Sequence, residues 1–170
     1  EERLRSLLNT AVQFKKVYGD REISFVRAPG RLNTLGMHID HRGGFVNPMA
    51  LDKEVIFCYS GRDDDCIRVH NMNPFYGERS FRITEEFPAA KLSTVDDWLA
   101  WTQEQTNKRK KAGINDDWGN KLKAVPVYLH VIYPDMRLLG FDAIVDSSLP
   151  PRIGLSSSSS IIVSIMEIMT

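Results

Sequence analysis

The chain has 170 residues, of which 42% are hydrophobic and 26% are charged, a balance typical of a globular domain that excludes extensive disorder. Basic and acidic side chains number 22 each, and the zero net charge argues against a nucleic-acid-binding protein, which usually carries a basic excess. No apolar run is long enough for a transmembrane helix and the N-terminus lacks a signal-peptide pattern, so we expect no membrane partner.

The first 60 residues are predicted to form one helix followed by strands. Apolar residues at helical spacing predict a helix over 4–18, ended by Gly19. Alternation of apolar residues then predicts extended structure, which Pro29 and Gly30 interrupt. The segments predicted to be extended are 23–28, 31–36 (a short strand or turn), 45–50 and 53–60.

The remaining pattern mixes helices and strands. The polar turn 61–65 joins the strand 53–60 to a strand over 66–70, and further strands are predicted over 79–83 and 141–145. Helices are predicted over 95–112, over 116–133 with a capping Asp116 or Asp117 and a kinking Pro126, and over the apolar segment 161–168. Because strands and helices do not alternate strictly, the fold class is α+β.

Two cysteines, Cys58 and Cys66, fall in strand-like segments. They could pair across a hairpin, but two cysteines make no disulfide framework. We favour reduced thiols that pack as small apolar groups, which indicates a cytoplasmic protein.

A serine-rich loop, 154–158, lies between the predicted strand 141–145 and the apolar helix. Read by composition alone it is either a flexible linker or an anion site. A compact Gly-Ser turn at a helix N-terminus directs backbone N–H groups and a partial positive charge at an anion, and serine hydroxyls are short enough to let phosphate approach. The loop lacks the Gly-Lys-Ser/Thr ending of a Walker P-loop.

A second polar segment lies upstream, where Arg31, His38, Asp40 and His41 fall within eleven residues among several glycines. Charged groups on a glycine-bounded loop suit a hydroxyl-rich ligand, although a solvated surface loop has the same composition.

Together the two segments resemble the GHMP kinases, the family of galactokinase, homoserine kinase, mevalonate kinase and phosphomevalonate kinase. Residues 150–158 match the family's phosphate loop, Pro-x-x-x-Gly-Leu-Ser-Ser-Ser. Other residues look like the sugar-binding signature of the galactokinase branch: Ala28, Pro29, Gly30, Arg31, Asn33, Gly36, His38, Asp40, Gly43, Gly44 and Pro48.

The resemblance implies that residues 1–170 form the N-terminal domain of such a kinase, with a ribosomal-protein-like β-α-β fold and helices on one side of a mixed sheet. The family's catalytic aspartate and its Mg²⁺-binding carboxylate follow the phosphate loop by several tens of residues. We therefore expect the chain to be an inactive fragment whose partner is the C-terminal half of its own polypeptide.

The resemblance also implies phosphoryl transfer from ATP to the anomeric hydroxyl of a sugar. In it, Arg31 is the catalytic residue that stabilises the transferred phosphate. The sugar-binding residues are Met37, His38, Ile39 and Asp40. The residues that would bind ATP are Gly154, Leu155, Ser156, Ser157 and Ser158, and Ser158 would also bind Mg²⁺.

Met37 departs from the galactokinase pattern, which has glutamate at this position. Methionine cannot accept the hydrogen bond that this glutamate takes from the hydroxyl on sugar C6, and it would not repel a carboxylate there. Galactose, galacturonate or a related hexose thus stay open as acceptors, with Arg42 or His41 able to pair with a uronate. A catalytically inactive sugar- and ATP-binding regulator is the main alternative, and a nucleic-acid module is disfavoured by the net charge.

Overall fold

The computed structural model describes residues 1–36, 39, 42–150 and 154–170. Within these ranges no helix has both the length and the apolar character needed to cross a membrane. The elements follow one another in the order α1 (Glu2–Tyr18), β1 (Ser24–Leu35), β2 (Asn47–Gly61), β3 (Cys66–Asn71), β4 (Glu78–Arg82), a 3-10 turn (Ile83–Glu86), α2 (Val95–Lys111), α3 (Gly119–Ile132), β5 (Phe141–Ser147) and α4 (Ser157–Met169).

The five strands form one mixed sheet in the order β1-β2-β5-β3-β4. Strands β3 and β5 pair in parallel, and every other neighbouring pair is antiparallel. The parallel pair requires a long connection, and β4, α2 and α3 supply it. The predicted α+β class is therefore confirmed.

The edge strand β1 continues through Pro29 and Gly30, so the prediction that they break the strand is wrong. Pro29 pairs with Glu54 and Arg31 pairs with Ala50, which leaves residues 51–53 of β2 bulged opposite Gly30. Proline is tolerated because β1 lies at the edge of the sheet. The same bulge explains why β2 looked like two strands in the sequence.

Helices cover both faces of the sheet, which corrects the expectation that they lie on one side. Val55 and Phe57 of β2 belong to the apolar core shared with α3 and α4, whereas Cys58 contacts Phe14 of α1 on the opposite face. Strands β2 and β5 are buried on both faces, as is usual for central strands, and each face therefore needs a covering layer.

The helices themselves follow the predictions closely. Helix α3 passes through Pro126, and its N-cap is Trp118 where an aspartate had been expected; Asp117 instead accepts a hydrogen bond from the backbone N–H of Gly119 at 2.7 Å. Both cysteines are free thiols, as predicted, and burial raises the pKa of Cys58 to about 11.

Candidate functional site

The β1 side of this bulge, residues 29–31, contacts the serine loop directly. The backbone N–H of Arg31 donates to the carbonyl oxygen of Leu155 at 3.2 Å, and the hydroxyl of Ser160 donates to the carbonyl oxygen of Pro29 at 2.9 Å. Between them, Gly30 leaves no room for a side chain, because a Cβ atom there would lie 2.3 Å from Leu149 Cδ2 and 3.0 Å from the Leu155 oxygen. Only glycine permits this approach.

The serine loop holds an unusual backbone conformation. Gly154 has a φ of +80°, and Ser156 has a φ of 62°, a left-handed conformation that costs a non-glycine residue about 1 kcal/mol. Ser156 is the N-cap of α4, yet its side chain makes no capping hydrogen bond. Because the first N–H groups of a helix have no intrahelical acceptor, those of Ser157 and Ser158 are available to an anion.

A cleft of about 370 Å³ opens beside this loop. Its walls combine apolar side chains with a few polar groups, a composition common in small-molecule sites. Besides residues 154–158, it is lined by Val55, Asn71, Asn73, Tyr76, Asp116, Trp118, Lys121, Val145, Ser147, Leu149 and Ile161.

An aromatic wall of the cleft is anchored at the start of α3. The indole N–H of Trp118 donates to the carbonyl oxygen of Tyr76 at 2.8 Å, and the two rings meet edge to face with centroids 6.5 Å apart. The neighbouring Asp117 binds Arg79 of β4 through hydrogen bonds of 2.9 and 2.7 Å, so its pKa stays below the usual value. The wall is therefore held in place by two independent contacts.

Polar groups face the cleft from β3 and from α3. Asn71 ends β3, and its side-chain oxygen accepts a hydrogen bond from the backbone N–H of Asn73 at 2.9 Å. Lys121 lies in the first turn of α3, where the helix dipole disfavours a positive charge. At this position Lys121 lines the same cleft as the serine loop.

The structure brings part of the predicted site together. Arg31 is exposed on β1 and is joined through its backbone to the loop 154–158. Ile39 is half-exposed in the turn between β1 and β2, where its backbone oxygen accepts a hydrogen bond from Gly44 N at 2.9 Å. The remaining predicted sugar-binding residues, Met37, His38 and Asp40, lie outside the described residues.

Ser158 is exposed in the first turn of α4. No group of three or more His, Cys, Asp or Glu side chains suited to a metal occurs in the described part of the chain. A role for the Ser158 hydroxyl toward Mg²⁺ therefore stays a prediction.

Sequence reasoning missed the far wall of the cleft, which Asn71, Tyr76, Trp118 and Lys121 provide. Two signals were present: an asparagine follows the strand predicted over 66–70, and a lysine occupies the first turn of a helix. The pairing that brings these residues to the serine loop is a tertiary feature that the local pattern does not contain.

Comparisons with known proteins agree with this geometry. A family profile described as the galactokinase galactose-binding signature matches residues 12–61. The galactokinase of Chloroflexus aggregans is 32% identical over 152 residues, which cover 89% of this chain and 32% of that protein. The galactokinase of Schizosaccharomyces pombe is 28% identical over 167 residues, covering 92% of this chain and 28% of that protein.

Two solved structures share the fold. Lactococcus lactis galactokinase, crystallised with galactose, has a TM-score of 0.68 at 24% identity and matches 95% of this chain and 35% of its own. The mevalonate kinase of Methanococcus jannaschii has a TM-score of 0.50 at 18% identity and matches 85% of this chain and 38% of its own.

The five-stranded sheet has the fold of the two GHMP-type kinases named above, galactokinase and mevalonate kinase. In sequence the chain resembles the N-terminal part of galactokinases, because the matching profile and the curated relatives named above are those of galactokinases. The chain spans about a third of the length of these relatives.

Proposed function

We propose that residues 1–170 are the N-terminal domain of a sugar 1-kinase of the galactokinase type, which transfers a phosphoryl group from ATP to the anomeric hydroxyl of galactose or a related hexose or uronic acid. The observation that carries the proposal is the hydrogen bond between Arg31 N and Leu155 O, which joins a catalytic arginine to a phosphate loop. The relatives, about three times as long, support a longer polypeptide that supplies the catalytic carboxylates.

The chemistry of the cleft suits ATP. Its base would lie against the aromatic wall of Tyr76 and Trp118, and its phosphates would accept hydrogen bonds from the N–H groups of Ser157 and Ser158. Lys121 would offset phosphate charge. The Ser158 hydroxyl would help to hold Mg²⁺, which would neutralise part of the phosphate charge.

The acceptor sugar is assigned to the turn between β1 and β2, where Met37, His38, Ile39 and Asp40 follow one another. Arg31 lies on the strand that leads into this turn, and its backbone N–H bonds the Leu155 carbonyl of the loop, so its guanidinium would lie between donor and acceptor. A planar cation there binds the oxygens of the transferred phosphate as their charge spreads in the transition state.

Met37 favours a second acceptor class within the same reaction. A neutral side chain at that position admits a carboxylate at sugar C6, so a uronic acid is an alternative to galactose. A regulator that binds sugar and ATP without catalysis is the other alternative. The free thiols suit a reducing compartment, and we assign the protein to the cytoplasm.

The test is a kinase assay on the longer polypeptide that contains this chain, with galactose, galacturonate and glucose as acceptors and ADP release as the readout. We expect transfer to galactose or galacturonate and a loss of roughly 10²-fold or more in kcat on Arg31→Ala, because a charge that stabilises the transition state is removed. Arg5→Ala, at an exposed arginine of α1, is the matched control.

Each outcome decides something. Preference for galacturonate selects the uronic acid kinase, and preference for galactose rejects it. Binding of ATP and sugar without any transfer selects the regulator and overturns the kinase.

A further inference from the structure

We infer that Ser160 is a positioning residue for this transfer: its hydroxyl fixes the β1 side of the bulge (Pro29 and Gly30), and through it Arg31, against the phosphate loop. The inference rests on the proposed function for its catalytic meaning. Its structural basis lies entirely in described residues, on the first turn of α4 and on β1.

The hydroxyl of Ser160 lies in a closed environment. Ser160 is 4% exposed, and its Oγ is 2.9 Å from the carbonyl oxygen of Pro29 and 3.2 Å from that of Ser156. The single hydroxyl proton is shared between these acceptors, one on the bulge and one at the N-cap of α4. The side chain therefore connects the strand to the start of the helix that carries the phosphate loop.

The Ser160 contact forms one of two hydrogen bonds on either side of Gly30. The other runs from the backbone N–H of Arg31 to the Leu155 oxygen at 3.2 Å. Leu155 and Ser160 therefore hold the residues on both sides of Gly30. The absence of a side chain at Gly30 brings the two backbones into contact. The origin of the Arg31 side chain is thereby fixed relative to the loop.

A packing role alone would not need a hydroxyl at position 160, because alanine packs as closely and has a higher helix propensity. Ser164 makes the contrast: one turn further along α4 it is also fully buried, and its hydroxyl has no hydrogen-bond partner among the described residues. Ser164→Ala is therefore a matched control that removes a buried hydroxyl from the same helix without removing a link to β1.

The first measurement is hydrogen exchange of peptides covering 29–35 in the longer polypeptide. We expect Ser160→Ala to speed exchange at the Arg31 amide roughly fivefold to tenfold, because the bulge opens more readily without its second hydrogen bond. Ser164→Ala should leave that exchange unchanged. Equal exchange in both variants and in the parent protein would show that no such link exists.

The second measurement is steady-state kinetics with a double-mutant cycle. Ser160→Ala should lower kcat about tenfold and change KM for ATP less than about twofold, because the loop N–H groups remain while Arg31 is misplaced. In an Arg31→Ala background the same substitution should cost less than about twofold, since it acts through the missing guanidinium.

Two results would overturn the positioning role even if hydrogen exchange changes. One is a decrease in kcat from Ser160→Ala that is equally large with and without Arg31, and the other is a change in KM for ATP with kcat unaltered. If the parent protein has no kinase activity, the proposed function is wrong and Ser160 has no catalytic role. The exchange result would still decide whether the Ser160 hydrogen bond links β1 to α4. Thermal unfolding of each variant identifies a simple loss of fold.

Discussion

Asp142 of β5 is fully buried on the sheet face that α1 covers, and three arginines reach its carboxylate. Arg68 donates at 2.6 and 2.8 Å, and Arg62 donates at 3.1 and 3.2 Å. Burial alone would raise the pKa of Asp142, but hydrogen bonds from Arg68 and Arg21 and the charge of Arg62 outweigh it and hold the pKa below its usual value.

This carboxylate should contribute to stability in a pH-dependent way. A group whose pKa is lower in the folded chain stabilises it in full well above the unfolded pKa of about 3.9, and the contribution is lost as pH falls through the folded pKa. Asp142→Asn should lower the free energy of unfolding at pH 7 by about 2–4 kcal/mol. This loss is smaller than the largest measured on removing one partner of a buried ion pair, because the three arginines are partly exposed.

Urea unfolding of the 170-residue chain at several pH values checks this. The difference between the parent chain and Asp142→Asn should shrink between about pH 5 and pH 2. Asp63→Asn, at an exposed carboxylate, should change stability by less than about 0.5 kcal/mol at every pH. A difference that stays constant with pH would contradict the assignment.

The candidate site residues were easier to propose from the sequence than this buried cluster. The resemblance selected Arg31 and the loop 154–158 because their spacing along the chain is specific. Asp142 carries no such signal, since its partner Arg68 is 74 residues away and Arg21 is 121 residues away. Only the pairing of β3 with β5 and the packing of α1 bring these charges together.

At the scale of elements, α2 differs from the other helices because none of its residues is buried. Its aromatic side chains hold it loosely: Trp98 meets Tyr128 of α3 with ring centroids 6.5 Å apart. The helix depends more on its own ends. The Thr94 hydroxyl accepts a hydrogen bond from the backbone N–H of Asp97 at 3.0 Å, and the Asp97 carboxylate accepts one from the backbone N–H of Thr94 at 2.9 Å.

Loss of this capping box should therefore act locally. Thr94→Ala should destabilise α2 by about 1 kcal/mol, so that amide exchange over 95–104 speeds several-fold while exchange over β2 and β5 stays the same. Hydrogen exchange by mass spectrometry measures both regions in one experiment. Ser93→Ala removes a neighbouring exposed hydroxyl that does not cap the helix, and an equal effect from it would refute the role of the cap.

Some elements could be predicted from the sequence and others could not. Helix positions were predicted well because apolar periodicity and end signals act within a few residues. The β1–β2 ribbon was divided wrongly, since a bulge at 51–53 and a proline on an edge strand look like chain breaks in one dimension. Strand order depends on contacts between distant segments, and no local pattern specifies it.

At the scale of the whole molecule, the candidate site lies where three separate parts of the sequence meet. The β1 bulge and the loop before α4 were predicted as partners from the family resemblance, and the segments 71–76 and 116–121 complete the cleft. That third contribution comes from the long connection between the parallel strands β3 and β5, which returns across the end of the sheet. A nucleotide in this cleft would contact the serine loop and both of the segments 71–76 and 116–121, while β1 bonds the loop from behind.

Because a ligand that binds only the folded state adds to stability, ATP should raise the free energy of unfolding of the 170-residue chain by about 2.7 kcal/mol at 100 times its dissociation constant. Lys121→Gln should raise the dissociation constant for ATP roughly fivefold to tenfold, since it removes a cation that faces the cleft beside the loop. The measurement is the unfolding midpoint as a function of ATP concentration, with Lys91→Gln, an exposed lysine that does not line the cleft, as the control. Equal ATP dependence in Lys121→Gln and Lys91→Gln would show that the phosphates do not lie next to α3, and an unfolding midpoint independent of ATP would contradict nucleotide binding in this cleft by the 170-residue chain.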